Sequence, residues 1–263
     1  MNILRKMCYF ILLLNNMYMP RAYVNINIFG TGLYLPYSMG VIGYIKKNIP
    51  IKDYNITGIS GGAWCALLYT QEPDLSNHDE LWDFSVGKDI NRIYFHNDIR
   101  TFQNNVEKNL KLRYANSNVD VRELSKISII ASNVVSIFNI KNEKKSNFDN
   151  INDLIDYCLC SSYIPYISGN TFSRKYKDKY YIDGEIKNDN DKVIDSAIIE
   201  NNIDIHRFMW GRKFSKNALM YLDKEKSKKL FMEGWEDTEK NRDTLLKLHD
   251  VNVNANVNVK KNS

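Results

Sequence analysis

The sequence predicts an α/β fold with three layers: a mostly parallel central sheet with helices on both faces. Two observations support this prediction. First, segments with the period-two pattern of strands alternate with helical segments along residues 23–249. Second, three short glycine motifs each follow directly on a predicted strand. Because the carboxyl ends of parallel strands meet at one edge of a sheet, we expect these motifs to lie close together.

The chain divides into three parts. Residues 1–22 are interpreted as an N-terminal extension with a short apolar run, Met7–Leu14. Residues 23–249 are interpreted as one domain, since a chain of 263 residues suits a single α/β domain with an ample core. Residues 250–263 form a low-complexity tail, for which we expect disorder, and asparagine occupies every second position within Val251–Val259.

The first predicted unit is a strand, a glycine loop and a helix. Val24–Phe29 alternate apolar and polar residues, and Gly30-Thr31-Gly32 follow directly. A helix is predicted over Tyr37–Lys47, although Gly40 and Gly43 lower its propensity. We therefore expect these two glycines to mark a close packing contact.

The glycine loop can present backbone N–H groups to an anion. One candidate is the oxyanion of a tetrahedral acyl intermediate. The other is a nucleotide phosphate, but the loop lacks the Gly-Lys-Ser/Thr ending of a phosphate-binding motif. The oxyanion is the favoured interpretation.

The second unit contains the motif Gly58-Ile59-Ser60-Gly61-Gly62, between a predicted strand over Tyr54–Thr57 and a predicted helix over Ala63–Tyr69. Gly-x-Ser-x-Gly between a strand and a helix is the nucleophile elbow of serine hydrolases. The tight turn leaves no room for a Cβ at its flanks and presents the serine hydroxyl to substrate. Ser60 is therefore a candidate nucleophile, and the Gly61 N–H at the helix start is a candidate oxyanion donor.

The remaining elements are predicted from pattern and caps. They are helices over Asp79–Val86 and Asp98–Leu112 in an insertion at 71–125, two strands within 127–140 joined by Ser132-Asn133, a helix from the cap Asn150 to Cys160, a strand ending before Asp183, a last strand Ile203–Trp210, and a helix Ala218–Leu248. The apolar residues of the insertion fit two interpretations, helix-packing core or a lipid-contacting surface over the site; they are Leu81, Trp82, Phe84, Phe102 and Val106.

Three motifs in this order resemble the patatin-like phospholipase family. The loop Gly30–Val41 is similar to the family's oxyanion loop, residues 58–62 to its serine elbow, and Asp183-Gly184-Glu185 to its distal Asp-Gly-Gly or Asp-Gly-Ala motif. The resemblance spans about residues 24–240. It departs at Leu35, where the family usually has glycine, and at Glu185, where the family usually has glycine or alanine.

The resemblance implies a patatin-like lipid acyl hydrolase that cleaves carboxylic esters, phospholipids first, through an acyl-serine intermediate. It implies a dyad in which Ser60 is the nucleophile and Asp183 the proton acceptor. It further implies an oxyanion hole formed by Gly30, Thr31, Gly32 and Gly61, with Gly58, Gly62 and Gly184 as motif glycines. The alternative is a catalytically inactive lipid-binding or regulatory protein, which the departures at Leu35 and Glu185 motivate.

Histidine is the usual base for a serine nucleophile. The chain has four, His78, His96, His206 and His249, and only His206 follows a predicted strand late enough for the order serine, acid, histidine. A Ser-His-acid esterase that uses His206 therefore stays open beside the Ser-Asp dyad.

Composition narrows the partners. The net charge of +5 is mild, and lysines and arginines are interspersed with acids, which argues against a nucleic-acid-binding protein. We expect a lipid or membrane-surface substrate, no metal and no cofactor; the oligomeric state is left open.

The cysteines Cys8, Cys65, Cys158 and Cys160 lack metal-site spacing and are interpreted as reduced, as in an intracellular protein. The N-terminal apolar run is too short to span a membrane; a signal peptide and a lipid-contacting patch both fit it.

Overall fold

The computed structural model describes residues 23–115, 119, 121–136, 138–186, 202–214 and 221–247. The strands are β1 Val24–Ile28, β2 Tyr54–Ile59, β3 Arg92–Tyr94, β4 Ile127–Ser136, β5 Asn139–Lys145, β6 Arg174–Tyr176, β7 Lys179–Ile182, β8 Asn202–Ile205 and β9 Tyr221–Asp223. The α-helices are α1 Leu35–Asn48, α2 Gly61–Gln71, α3 His78–Trp82, α4 Phe95–Tyr114, α5 Val121–Leu124, α6 Ile151–Ser161, α7 Lys224–Lys240 and α8 at 242–247. A 3₁₀ helix covers Gly32–Tyr34, and a π-helix covers Asp83–Gly87, so the predicted helix Asp79–Val86 divides between α3 and this π-helix.

The main sheet is mixed, with a parallel centre. Its order is β6-β7-β4-β2-β1-β8, and β5 also pairs with β4. The strands β4, β2, β1 and β8 run parallel, while β5, β6 and β7 join through antiparallel pairs. The predicted α/β class with a mostly parallel sheet is confirmed at this level.

The two faces of the sheet differ in polarity because the central strands alternate. Register places Ile26 beside Ile56 and Ile203, all buried, on the apolar face. The opposite face carries asparagines, and the Asn25 side-chain amide donates to the Asn202 side-chain oxygen at 3.0 Å. One face is therefore built for a hydrophobic core and the other for polar side-chain ladders.

The described helices pack on the apolar face. The connections from β1 to β2 and from β2 to β4 advance in one direction along the sheet, so right-handed crossovers place α1 and α2 on the same side. Helix α6 packs against α2, and α7 packs against α1. The prediction of helices on both faces is thus met on one face, and the connection from β7 to β8, residues 187–201, lies outside the described residues.

Close packing of α1 on its neighbours accounts for two glycines. A Cβ at Gly40 would lie 1.9 Å from the Phe231 carbonyl oxygen of α7, and a Cβ at Gly43 would lie 2.7 Å from the Leu75 carbonyl oxygen. From the other helix, a Cβ at Gly234 would lie 2.1 Å from the Tyr37 carbonyl oxygen. The predicted close contact at Gly40 and Gly43 is confirmed.

The insertion contributes to the core and supports the site. Leu81, Trp82 and Val106 are buried in the main hydrophobic cluster, and Phe84 and Phe102 pack against it. The core interpretation of these residues therefore holds. The Gln103 side-chain amide donates to the Ser162 carbonyl oxygen at 2.7 Å, which ties α4 to the end of α6.

Several element boundaries differ from the prediction. Ser132-Asn133 lies inside β4 rather than in a turn, because both residues pair with β5 and with β7. The last predicted strand is shorter, since β8 ends at Ile205 and residues 207–210 form a turn. The predicted helix Ala218–Leu248 begins at Lys224, behind the short strand β9, which pairs with β3.

Other predictions hold or fall outside the described residues. The Asn150 side chain caps α6 by accepting the Asp153 N–H at 3.0 Å, as predicted. The extension 1–22, the tail 250–263 and residues 215–220 are outside the described part of the chain. Among the described helices, none combines the length and apolar character needed to cross a membrane.

Candidate active site

Ser60 lies in a sharp turn between β2 and α2. Its backbone has φ 54° and ψ −125°, a strained combination for a residue with a side chain. A Cβ at Gly58 would lie 2.6 Å from the Ala63 Cα, and a Cβ at Gly62 would lie 2.1 Å from the Ile28 carbonyl oxygen. Both glycines are therefore required by close backbone approach.

Asp183 meets the serine at this turn. The Ser60 hydroxyl donates to Asp183 Oδ2 at 2.6 Å. Asp183 directly follows β7 and is only 5% exposed. Its backbone N–H donates to the Tyr163 carbonyl oxygen at 2.8 Å, and a Cβ at Gly184 would lie 2.6 Å from the Ile130 carbonyl oxygen. The acid is thus held rigidly beside the elbow.

Burial changes the proton affinity of this acid. Loss of solvation raises the pKa of Asp183 to about 6. The hydrogen bonds from the Ser60 hydroxyl and the Glu185 N–H oppose that rise, and the charge of Glu185 adds to it. A carboxylate with this pKa is a stronger base than an exposed aspartate and is still ionised at neutral pH.

The glycine loop borders the serine from the other side. A Cβ at Gly30 would lie 2.5 Å from the Glu185 Cγ and 3.0 Å from the Ser60 Cβ, so a side chain here would crowd both residues. Gly32 has φ 52° and is exposed. Thr31 is buried, and its hydroxyl lies 3.3 Å from a Cβ placed on Gly61, without a hydrogen-bond partner among the described residues. The structure thus brings Gly30, Thr31 and Gly61 around Ser60.

The Gly30 N–H already has an acceptor. It donates to Glu185 Oε1 at 2.8 Å. Sequence reasoning placed Glu185 next to Asp183 but did not find this contact, since the two residues are 155 positions apart. At Leu35, the other departure from the motif, the backbone is helical with φ −43°, so the position does not require glycine.

Sequence reasoning also missed Ser161. Its hydroxyl accepts the Ser60 N–H at 2.8 Å and donates to the Ile130 carbonyl oxygen at 2.6 Å. The hydroxyl therefore fixes the elbow backbone to the neighbouring strand. The run of small residues at the end of the predicted helix was the available signal.

The serine opens into a cavity of about 660 Å³. Its walls are largely apolar, formed by Phe29, Leu33, Phe95, Ile164, Ile186 and Phe208. Ser60, Asp183, Glu185, His206 and Arg207 contribute the polar part of the lining, with the glycine loop between them. A cavity of this size and character suits an extended apolar ligand with one polar reacting group.

His206 lines the cavity but does not bond to the serine. Its Nδ1 accepts the Phe208 N–H at 3.2 Å, and its ring meets Phe29 edge-on at 6.3 Å. The Ser60 hydroxyl is bonded to Asp183 instead. The described geometry therefore favours Asp183 as the immediate partner of Ser60.

The metal-ligating residue types are dispersed. Within the described ranges, His, Cys, Asp and Glu side chains form no group of three that could hold a metal ion. Cys65, Cys158 and Cys160 are buried and free, and burial raises the pKa of each thiol. Cys8 is outside the described residues.

In comparisons with known proteins, no family model matches the chain and no curated protein sequence matches it. The likeness to patatin-like enzymes therefore rests on the three motifs and their order. The geometry of the site stands independently of that likeness.

Proposed function

We propose that the protein is a serine hydrolase that cleaves carboxylic esters of lipids through an acyl-Ser60 intermediate. The observation that carries this proposal is the 2.6 Å hydrogen bond from Ser60 to a buried aspartate at a strained strand-helix turn. The apolar cavity at this turn supports a lipid as substrate.

The reaction proceeds in two halves. Ser60 Oγ attacks the ester carbonyl while its proton passes to Asp183 Oδ2, and N–H groups of the glycine loop and Gly61 stabilise the oxyanion. Asp183 then protonates the leaving alcohol, and the acyl group stays on Ser60. In the second half Asp183 takes a proton from water, and the water oxygen attacks the acyl carbonyl. The bond between the acyl carbon and Ser60 Oγ then breaks, Asp183 returns the proton to Ser60, and the fatty acid leaves.

The cavity supports acyl lipids over small polar esters. Aromatic and aliphatic side chains form most of its wall, and Ile186 and Phe208 are about half exposed at 50% and 52%. An acyl chain that leaves a membrane surface can bury its methylenes against such a wall, at about 0.8 kcal/mol each. Phospholipids are the first candidate substrates, because of the motif resemblance, and neutral lipids are the second.

A catalytically inactive lipid-binding protein is the second candidate. The observation in its favour is the Glu185 carboxylate, which occupies the Gly30 N–H that the oxyanion would need. Such a protein would keep the apolar cavity and lack turnover.

Active-site labelling separates the two. A fluorophosphonate probe should form an adduct on the peptide that contains Ser60, located by mass spectrometry, and Ser60→Ala should abolish it. Ser136→Ala, at an exposed strand residue, is the matched control and should label like wild type. Labelling that persists in folded Ser60→Ala would overturn the proposal.

Substrate assays complete the test. Phosphatidylcholine vesicles, a triacylglycerol emulsion and a short-chain p-nitrophenyl ester would be compared for release of fatty acid or phenol. Hydrolysis that depends on Ser60 supports the hydrolase. Binding to vesicles without labelling and without hydrolysis supports the inactive lipid-binding protein.

A further inference from the structure

The Glu185 side chain packs directly on the glycine loop beside Ser60. A Cβ at Gly30 would lie 2.5 Å from the Glu185 Cγ and 3.0 Å from the Ser60 Cβ. The Glu185 carboxylate accepts the Gly30 N–H at 2.8 Å. The protein's own carboxylate therefore sits against the donor next to the reacting hydroxyl.

The backbone of Glu185 is fixed while its side chain can move. Its N–H donates to Asp183 Oδ1 at 2.9 Å, and the preceding Gly184 N–H donates to the Ser161 carbonyl oxygen at 3.0 Å. Within the described residues Glu185 forms no ion pair, so the hydrogen bond from Gly30 is the polar contact that holds the carboxylate here. Rotation about the side-chain torsions can release that contact without disturbing Asp183.

A carboxylate and a tetrahedral oxyanion make the same demand on a backbone N–H, because both are anionic oxygens that accept a charge-assisted hydrogen bond. The two cannot share the Gly30 donor while Glu185 stays in place. From this geometry we propose that Glu185 is an autoinhibitory latch: it occupies the Gly30 N–H in the ligand-free protein, and the substrate carbonyl oxygen must displace it. This inference rests on the proposed hydrolase.

The latch predicts the direction of a variant's effect. Loss of one oxyanion donor typically costs about 10²–10³ in turnover. If the donor is free only in the released form, the apparent rate falls by the released fraction. Removing the carboxylate should therefore speed the reaction of Ser60, whereas removing a catalytic group would slow it.

The test is the rate of Ser60 labelling by a fluorophosphonate. In that step the bond from Ser60 Oγ to phosphorus forms, the phosphorus–fluorine bond breaks, fluoride leaves, and Asp183 takes the serine proton. In the proposed latch, the phosphoryl oxygen accepts the Gly30 N–H that Glu185 releases. Glu185→Ala should label about tenfold faster or more, and Glu185→Gln, whose neutral amide oxygen still accepts, should lie between it and wild type.

Controls separate the latch from other effects. Position 185 has a negative φ, so alanine fits its backbone. Rates would be measured at about pH 8, where Asp183 is ionised in every variant, so a change in its pKa cannot imitate release. Glu236→Ala, at an exposed residue of α7, is the matched control and should label at the wild-type rate. Equal or slower labelling of Glu185→Ala would overturn the latch.

A second readout does not depend on catalysis. In the NMR spectrum of ¹⁵N-labelled protein, the Gly30 amide proton should move upfield in Glu185→Ala, because it loses a charged acceptor. An unchanged Gly30 resonance would overturn the latch even if no variant labels. If the Gly30 resonance shifts in Glu185→Ala but no variant is labelled, the proposed hydrolase is refuted, whereas the contact between Glu185 and Gly30 is supported.

Discussion

Replacing Asp183 with asparagine should lower activity at least about a hundredfold and at the same time stabilise the protein at neutral pH. The buried carboxyl has its pKa raised from the ordinary 3.8 to about 6. Between these values the folded protein binds more protons than the unfolded chain, so its stability falls as pH rises through this window. Above it the full cost of the buried charge is present.

The size of the effect follows from the shift. A difference of about two pKa units, at 1.36 kcal/mol each, makes the ionised side chain cost about 3 kcal/mol. Asparagine carries no charge and keeps an oxygen for the Glu185 N–H. As the pH rises from about 4 to about 8, the stability of the variant relative to wild type should therefore increase by about 2–3 kcal/mol. Near neutral pH, the Tm of the variant should exceed that of wild type by roughly 3–10 °C.

The assay is urea unfolding of both proteins at several pH values. Subtracting the free energies of unfolding of the two proteins removes the contribution of groups that titrate identically in both. Asp178→Asn, at an exposed turn residue, controls for loss of a carboxylate as such. In parallel, kcat/KM for an ester should fall at least about a hundredfold in Asp183→Asn.

One result would refute the reasoning. If the stability difference between Asp183→Asn and wild type is the same at about pH 4 and about pH 8, the carboxyl is not destabilised by burial. If stability is gained but activity is retained, Asp183 is not the base.

Two further predictions concern the base. The acid limb of the pH profile of kcat/KM should have its midpoint near pH 6, because only ionised Asp183 accepts the proton. A midpoint near pH 4 would contradict this prediction. His206→Ala should keep most of the ester hydrolysis, because the Ser60 hydroxyl bonds to Asp183 and His206 Nδ1 accepts the Phe208 N–H; a loss comparable to that of Asp183→Asn in the same assay would favour a Ser-His-acid triad.

The parts of the site that sequence could predict are those set by local sterics. Gly58 and Gly62 are required because a Cβ at either would collide with nearby backbone, and both glycines are part of the Gly-x-Ser-x-Gly motif that the sequence shows directly. Asp183 was predictable as a residue after a strand, but the expected reason was wrong, because β7 runs antiparallel to β4 rather than parallel to it. Asp183 reaches Ser60 because β4 extends beyond the end of β2 and β7 returns along that extension toward Ile130, the β4 partner of Ile59.

Long-range side-chain contacts were not predictable. The bond between Gly30 and Glu185 depends on side-chain torsions and on how two distant segments meet. The pairing of β3 with β9 joins three-residue strands that carry too little alternation to be recognised. At Ser132-Asn133 local turn preference was overridden, because strands on both sides supply hydrogen bonds.

The contact between α1 and α7 has a consequence for biosynthesis. Helix α1 continues directly from the glycine loop, yet its Gly40 packs on Phe231 and its Tyr37 carbonyl on Gly234, nearly two hundred positions later. A nascent chain on the ribosome therefore exposes this flank of α1 until α7 has left the exit tunnel. We expect the loop beside Ser60 to reach its final form only after α7 has been synthesised, so that the cavity stays unassembled until then.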